Sequence, residues 1–124
     1  MKGYLGNIEE ETLTNTNFRK VLFTGPHSQL VVMSLKPGED IGLEAHHGHD
    51  QFIRVDQGHA KFIVGDDELE GGDGFAVVIP SGAKHNVINI GNEDLKLYTI
   101  YAPPEHPNGT IHRTKSEAEK SESH

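Results

Sequence analysis

Residues 74–89, GFAVVIPSGAKHNVIN, hold a continuous apolar run, a tight corner and a histidine. Residues 75–79 have the length and composition of a buried strand. Pro80 stops this strand, and Gly82 allows a turn whose backbone dihedrals a side chain would forbid. His85 opens the next strand and, if it points inward, could complete a four-point metal site. The stretch therefore predicts two short strands with a candidate metal ligand beside the corner.

Short apolar runs separated by glycine, proline and asparagine recur along the chain. Further strands are predicted at residues 20–24, 29–35, 51–55, 61–64, 85–90 and 95–102. Turn signals fall every ~6 to 12 residues, as in an antiparallel sandwich or barrel of about eight to ten strands. No segment before residue 112 has a sustained apolar period of 3.6 residues, so no amphipathic helix is predicted there.

The polar stretches are predicted to lie outside the strands. Residues 65–67 and 71–74 are interpreted as turns, and residues 1–17 as irregular, with an edge strand or turn around residues 3–5. The charged end, residues 114–124, is expected to be a flexible tail or a short helix. Residues 1–113 are expected to form a single domain with a barrel core at about residues 30–103.

The composition of the 124 residues narrows the class of partner. The formal net charge is −8, which argues against nucleic acid and anionic membranes because both select basic patches. The chain has no cysteine, which excludes disulfides, thiolate metal sites and cysteine nucleophiles. No apolar run approaches the ~20 residues that span a bilayer. We therefore expect a cytoplasmic protein that acts on a small molecule.

The stretch GLEAHHGHDQF, residues 42–52, is rich in metal-ligating side chains. Glu44 and His46 are two residues apart and so point to the same face of a strand. Gln51 begins the next strand, and neighbouring antiparallel strands of a small barrel can bring these side chains and His85 to one inner spot. Two imidazoles, one carboxylate and one amide oxygen suit Zn²⁺, Mn²⁺, Fe²⁺, Ni²⁺ or Co²⁺.

These residues resemble the two signature motifs of the cupin superfamily. The second motif, G-x5-P-x-G-x2-H-x3-N, is filled at every position by Gly74, Pro80, Gly82, His85 and Asn89. The first, G-x5-H-x-H-x3-4-E-x6-G, is matched in spacing by Gly38, Glu44, His46, Gln51 and Gly58. Glu44 replaces the family's first histidine, and Gln51 replaces its glutamate. The resemblance spans roughly residues 30–103 and implies an all-β, double-stranded β-helix, the cupin jelly-roll barrel.

The resemblance also implies a site and an activity. Carried over by position, the metal ligands are Glu44, His46, Gln51 and His85. This set is similar to the zinc set of the phosphomannose isomerase branch, and residues 97–110 resemble the end of small cupins described as mannose-6-phosphate isomerase-like. We therefore expect a metal-dependent isomerase for a sugar-like or hydroxycarbonyl substrate. Small cupins often pair through edge strands, so a homodimer is also expected.

Several residues keep a second interpretation. Gln51 could orient His46 or a water molecule instead of binding metal, and His47 or His49 could replace it as a ligand. The base for proton transfer is expected among His49, His47 and Tyr101. The other histidines and two nearby cations are predicted to be exposed: His27, His59, His106, His112, His124, Arg54 and Lys84.

Two alternative functions remain open. Ferrous iron held by two histidines and one carboxylate is sufficient for a dioxygenase, because positions stay open for O₂. A non-catalytic module that binds a small molecule in the barrel is the other alternative, since the sequence offers no obvious general base.

Overall fold

The computed structural model describes residues 3–122, which contain nine strands and two short helices. The helices are α1 (Ile8–Thr14) and α2 (Lys115–Glu122). The strands are β1 (Arg19–Thr24), β2 (Gln29–Leu35), β3 (Asp50–Gln57), β4 (His59–Val64), β5 (Asp67–Gly72), β6 (Ala76–Ile79), β7 (His85–Asn89), β8 (Leu95–Ala102) and β9 (Ile111–His112). Neither helix in this range has the length and apolar character needed to span a bilayer.

The strands form two antiparallel sheets around one core. One sheet has six strands in the order β6-β3-β8-β2-β1-β9, and the other has three in the order β5-β4-β7. Both sheets contribute to the apolar cluster, which includes Val31, Met33, Leu35, Ile53, Val55, Phe62, Val87, Leu95 and Leu97. The predicted all-β fold, a double-stranded β-helix, is confirmed.

Two central strands of the larger sheet, β3 and β8, have polar side chains at one end of the face that points into the core. On β3 the buried side chains alternate as Gln51, Ile53 and Val55, which is the two-residue period of a strand with one buried face. The register with β8 places Gln51 opposite Tyr101 and Ile53 opposite Thr99. The core is therefore aliphatic along most of its length and polar where Gln51 enters it.

Gly58 explains the glycine that ends the first motif. It joins β3 to β4 with φ +97°, a conformation that side chains rarely adopt. A Cβ atom there would lie 3.1 Å from both the Asp94 carbonyl oxygen and the Leu95 Cα. The close backbone approach and the positive φ both select glycine at this corner.

The prediction that residues 75–79 form a buried strand was only partly right. The strand β6 is present, but Ile79 alone of its side chains is buried, while Phe75 and Val78 are 60% and 66% exposed. The reason is topological, because β6 is the edge strand of the six-stranded sheet and pairs only with β3. The sequence of an apolar strand does not show whether other elements will pack against both of its faces.

The prediction of an irregular N-terminal segment was wrong for residues 8–14, which form α1. The Asn7 side chain caps this helix by accepting a hydrogen bond from the Glu10 backbone N–H at 3.0 Å. Three acidic residues in the first turn complement the helix dipole. A helix of seven residues is too short to display a periodic apolar pattern. Residues 3–5 form no strand.

The prediction of turns at residues 65–67 and 71–74 missed β5 between them. This strand, DELEGG, has poor β propensity but pairs with β4 along its full length, from His59 opposite Gly72 to Val64 opposite Asp67. Its acidic side chains are exposed at the edge of the three-stranded sheet. Charged edges of this kind discourage pairing with other chains.

The C-terminal segment, for which the sequence predicts a flexible tail or a short helix, forms α2 up to residue 122. Ala118 on this helix is 2% exposed and joins the core cluster. Lys115 at its start makes an ion pair with Asp40 in the long connection between β2 and β3. Burial of Ala118 and the ion pair together fix α2 against the barrel. His124, predicted to be exposed, lies outside the described residues.

Candidate metal centre

Two backbone hydrogen bonds place Glu44 directly opposite His85. The Glu44 N–H donates to the His85 carbonyl at 2.9 Å, and the His85 N–H donates to the Glu44 carbonyl at 2.8 Å. The Gly82 N–H donates to the His46 carbonyl at 3.0 Å, which ties the corner after β6 to the same segment. These bonds join the two sequence motifs side by side.

Glu44, His46 and His85 form a compact group of potential metal ligands. One ligand atom from each residue lies within 4.8 Å of the other two. The His46 Nε2 and Glu44 Oε2 atoms are 2.7 Å apart, and the His46 and His85 ring centroids are 5.3 Å apart. Small shifts of these side chains would bring three donor atoms around one cation, so the residues present fit a divalent metal.

The second nitrogen of His85 determines which atom faces the site. His85 Nδ1 lies 3.1 Å from the Ala83 carbonyl, which can only accept a hydrogen bond. Nδ1 therefore carries the proton, and Nε2 keeps its lone pair. Nε2 is buried and has no hydrogen-bond partner among residues 3–122. A histidine whose far nitrogen donates to a carbonyl is the usual arrangement of a metal ligand.

Gln51 presents a similar unsatisfied atom. Its Nε2 donates to the Thr99 hydroxyl at 3.0 Å, while its Oε1 is buried without a partner in the described part of the chain. The residue is 3% exposed. A buried acceptor without a partner is costly. A bound cation or a water molecule would satisfy it, so both interpretations of Gln51 remain consistent with the structure.

The Glu44–His46 pair shifts the pKa of both groups. Burial opposes ionisation of Glu44, but the hydrogen bond and positive charge of His46, together with Arg19 and His85, outweigh it and lower the pKa of the carboxyl. The hydrogen bond to Glu44 raises the pKa of His46 despite burial, and Glu105 contributes in the same direction. Without metal, both shifts favour an ionised Glu44 carboxylate beside a protonated His46 imidazole over the neutral pair.

The candidate bases occupy different surroundings. His47 is exposed, and His49 is half-buried with its Nε2 3.2 Å from the Pro104 carbonyl. Tyr101 is 1% exposed, and its ring meets the His46 ring edge-on at 6.0 Å between centroids. Tyr98 is half-buried, three residues away on β8. Of the two tyrosines, Tyr101 is the one beside the candidate ligands.

A cavity of about 510 Å³ opens next to the ligand group. Its walls come from the first motif, the segment after β8, β9 and α2: Glu44, Ala45, His46, Glu105, His106, Pro107, Thr110, His112 and Ser121. The mixture of carboxylate, imidazole and hydroxyl groups suits a small hydroxylated ligand.

The prediction that His106 and His112 are exposed was wrong, since both are partly buried and line this cavity. Burial, followed by the positive charge of Arg19, lowers the pKa of His106 to about 3. Pairing of β9 with β1 brings His112 Nδ1 to 3.4 Å from Arg19 Nη1. Arg19, 1% exposed, supplies a buried positive charge beside His112, a position that its sequence neighbourhood does not indicate.

The other predicted surface groups stay outside the site. Arg54 makes an ion pair with Asp56 at 3.4 Å, and Lys84 is exposed. Asp50 accepts a hydrogen bond from the Ser81 N–H at 3.0 Å and so stabilises the corner that precedes His85. Glu105 is the acidic cavity residue that sequence reasoning missed.

The comparisons with known proteins agree on a family. The cupin domain family model matches residues 31–101. A crystal structure of the protein BH2720 from Bacillus halodurans superposes with a TM-score of 0.94 at 47% identity, covering 96% of this chain and 95% of that one.

Two curated relatives are uncharacterized proteins. YrkC of Bacillus subtilis is 50% identical over 94% of this chain, which spans 66% of that protein's length. L612 of Acanthamoeba polyphaga mimivirus is 49% identical over 87% of this chain and 70% of its own. The chain therefore covers only about two thirds of these relatives.

Proposed function

Because this chain belongs to the cupin domain family, we propose that it is a metal-dependent enzyme of the isomerase type, like the mannose-6-phosphate isomerase branch. Glu44, His46 and His85 hold the divalent ion, and Gln51 completes the set. The substrate is a small sugar-like or hydroxycarbonyl molecule. The observation that carries this proposal is the convergence of three donor atoms within 4.8 Å, with Glu44 and His46 of this group lining the cavity.

The donor set limits the choice of metal. Two imidazoles, one carboxylate and one amide oxygen suit Zn²⁺, Mn²⁺, Fe²⁺, Ni²⁺ and Co²⁺. The chain contains no thiolate that would select a softer metal. His85 Nε2 and Gln51 Oε1 are buried and have no hydrogen-bond partner among the described residues, which supports a site organised for a cation.

The chain's own groups supply the rest of the chemistry. When bound, the metal polarises the substrate carbonyl and stabilises negative charge on its oxygen. A base would remove the proton from the neighbouring hydroxyl-bearing carbon and return it to the former carbonyl carbon, while the hydroxyl proton passes to the former carbonyl oxygen, so that an aldose becomes a ketose. His49 and Tyr101 are the candidates for that base because both lie beside His46. The ring centroids of His49 and His46 are 6.0 Å apart, and the Tyr101 ring packs edge-on against His46.

The experiment compares metal-free and metal-loaded protein on a panel of aldoses and aldose phosphates. We expect ketose formation only with metal, and loss of activity in Glu44→Gln and His85→Ala. His59→Ala is the matched control, because His59 is exposed and pairs with exposed Glu70 on the outer sheet. Protein that carries bound metal yet converts no member of the panel would contradict the isomerase proposal while leaving metal binding intact.

A dioxygenase is the second candidate, and the composition of the ligand group favours it. Two histidines and one carboxylate are sufficient to hold ferrous iron with positions open for O₂. We would then expect O₂ uptake with a catechol-like, thiol or flavonol substrate in the Fe²⁺-loaded protein but not in the Zn²⁺-loaded protein. Ketose formation without O₂ uptake would decide for the isomerase.

A non-catalytic binding module is the third candidate, favoured by the surroundings of the two candidate bases. Tyr101 is 1% exposed, and His49 Nε2 is engaged by the Pro104 carbonyl and Glu105. Such a module would bind a sugar with or without metal, and Glu44→Ala would leave that binding unchanged. Calorimetric titration of metal-free wild type and Glu44→Ala with the same sugars distinguishes it from the enzymes.

A further inference from the structure

Glu105 lies on the cavity wall between two histidines of the first motif. Its Oε1 is 3.4 Å from His46 Nδ1, and its Oε2 is 3.3 Å from His49 Nε2. The side chains of Glu105 and His46 are 26% and 16% exposed. One carboxylate therefore contacts a proposed metal ligand and a neighbouring imidazole at the same time.

The two ring nitrogens of His46 have different carboxylate partners. Nδ1 faces Glu105, whereas Nε2 lies 2.7 Å from Glu44 Oε2, inside the group formed with His85. The ring orientation thus directs Nε2 toward the ligand group and Nδ1 away from it. A partner for Nδ1 on the far side of the ring can hold that orientation when Nε2 binds an ion.

A buried glutamine fixes the backbone that carries Glu105. Gln29 is 1% exposed, and its Oε1 accepts hydrogen bonds from the backbone N–H groups of Glu105 at 3.2 Å and His106 at 2.9 Å. Its Nε2 donates to the His106 carbonyl at 2.7 Å and to the Thr24 hydroxyl at 2.9 Å. Three of these four hydrogen bonds therefore hold the Glu105–His106 segment, and the fourth ties the Gln29 side chain to Thr24 on β1.

We infer that Glu105 is a positioning residue of the metal centre, which acts by holding the Nδ1–H of His46 so that Nε2 presents its lone pair to the ion. The inference rests on the proposed metal binding. A carboxylate behind a ligating imidazole fixes its tautomer and orientation and raises its basicity. Gln29 keeps the carboxylate in place, and His49 supports it from the other side.

The test measures the affinity for Zn²⁺ and Co²⁺ by competition with a chelator. We expect Glu105→Ala to lose about 10- to 100-fold in affinity, the usual effect of removing such a partner. Glu105→Gln should lose less, because an amide oxygen still accepts from Nδ1–H but without charge assistance. Glu70→Ala is the matched control, since it removes a carboxylate 3.4 Å from the exposed His59.

Two spectroscopic measurements separate positioning from general loosening of the fold. The visible spectrum of the Co²⁺ protein should change in Glu105→Ala and be retained in Glu70→Ala. The ring ¹⁵N shifts of His46 in the Zn²⁺ protein should show a protonated, hydrogen-bonded Nδ1 in wild type and a weakened bond in Glu105→Ala.

The outcomes distinguish this inference from the proposed function. Wild type that binds no divalent ion overturns both. If wild type binds Zn²⁺ and Co²⁺, and Glu105→Ala and Glu105→Gln both bind them with wild-type affinity and unchanged spectra, the inference alone is overturned. If Glu105→Ala fails to fold by circular dichroism, Glu105→Gln decides, and wild-type affinity in that variant counts against a charge-assisted role.

Discussion

Two imidazole–carboxylate pairs with the same separation lie in different parts of the barrel. In the inner pair, His46 Nδ1 and Glu105 Oε1 are 3.4 Å apart beside the cavity. In the outer pair, His59 Nε2 and Glu70 Oε1 are 3.4 Å apart on the exposed face of the three-stranded sheet. The first pair is 16% and 26% exposed, the second 52% and 59%. The inner imidazole also meets Glu44 at 2.7 Å, and its ring lies 5.3 Å from that of His85.

The difference shows that proximity of histidine and carboxylate does not make a site. In solvent, such a pair is screened and its two long side chains lose entropy on pairing. Beside the cavity, several segments converge and water is partly excluded, so charges interact more strongly. What distinguishes the inner pair is convergence and burial, and both depend on the fold.

The largest expected effect comes from removing one of the proposed ligands. His85→Ala and Glu44→Gln should each reduce divalent-metal affinity by more than about 100-fold. The reason is that loss of a residue that only hydrogen-bonds to a ligand already reduces metal affinity by about 10- to 100-fold. His59→Ala should leave the affinity unchanged. Isothermal titration with Zn²⁺ provides the comparison, and equal affinities for His85→Ala and His59→Ala would show that the inner cluster is no different from the outer pair.

Metal binding should also release a proton from His46, which pairs with Glu44 in the metal-free protein. Glu44 raises the pKa of His46 above its ordinary value of 6.5, so the imidazole keeps its proton to higher pH and metal must displace it. We expect affinity to increase with pH, and we expect metal binding to release more protons at pH 6.5 than at pH 8.5. Titrations in buffers of different ionisation enthalpy measure this number, and no release at either pH would contradict an imidazolium at His46.

A smaller effect is expected at Gln51. Gln51→Glu replaces the neutral amide oxygen with a carboxylate and should raise the affinity for divalent metal, roughly tenfold if the oxygen is a ligand. The Thr99 hydroxyl, now 3.0 Å from Gln51 Nε2, can instead donate to the new carboxylate. A Gln51→Glu protein with lower affinity for metal would favour the alternative in which Gln51 orients His46 or a water molecule.

The sequence predicts the inner cluster because its members follow local rules. Glu44 and His46 are two residues apart, and His85 comes after the turn that Pro80 and Gly82 impose. The predicted strand at residues 44–46 is reduced in the structure to an isolated bridge between Glu44 and His85, which still brings the two motifs together. Spacing along the chain and the resemblance to the two motifs therefore selected four residues, of which the structure brings Glu44, His46 and His85 within 4.8 Å.

The missed residues depend on contacts between distant parts of the chain. Glu105 reaches the site because Gln29, 76 residues earlier, holds its backbone. His112 is placed by the pairing of β9 with β1. The exposure of Phe75 likewise follows from the position of β6 at a sheet edge. None of these contacts leaves a periodic or local signal in the sequence.

The smallest expected effect is a loss of thermal stability on removal of the ion pair between Asp40 and Lys115, which lies outside the candidate metal centre. Hydrogen bonds from Asn86 and Lys115 lower the pKa of Asp40 below 3.8, so its contribution to stability is present above pH 3.8 and is lost as the pH falls through the lowered pKa. Asp40→Asn should lower the melting temperature by about 2 to 4 °C at pH 7, the size expected for a partly exposed pair.

The difference between wild type and Asp40→Asn should shrink as the pH falls below 3.8. Thermal unfolding of both proteins between pH 7 and pH 3 checks the sign. A difference that grows on acidification would mean that Asp40 is not stabilised in its ionised form.

The most direct measurement is a crystal structure of the Zn²⁺- or Mn²⁺-loaded protein, purified without an affinity tag, with anomalous data at the metal edge. The account predicts one anomalous peak bonded to Glu44, His46 Nε2 and His85 Nε2 at about 2.0 to 2.2 Å, with the Glu44–His46 hydrogen bond broken. No peak at that position in the presence of ample metal, with Glu44 still bonded to His46, would contradict it.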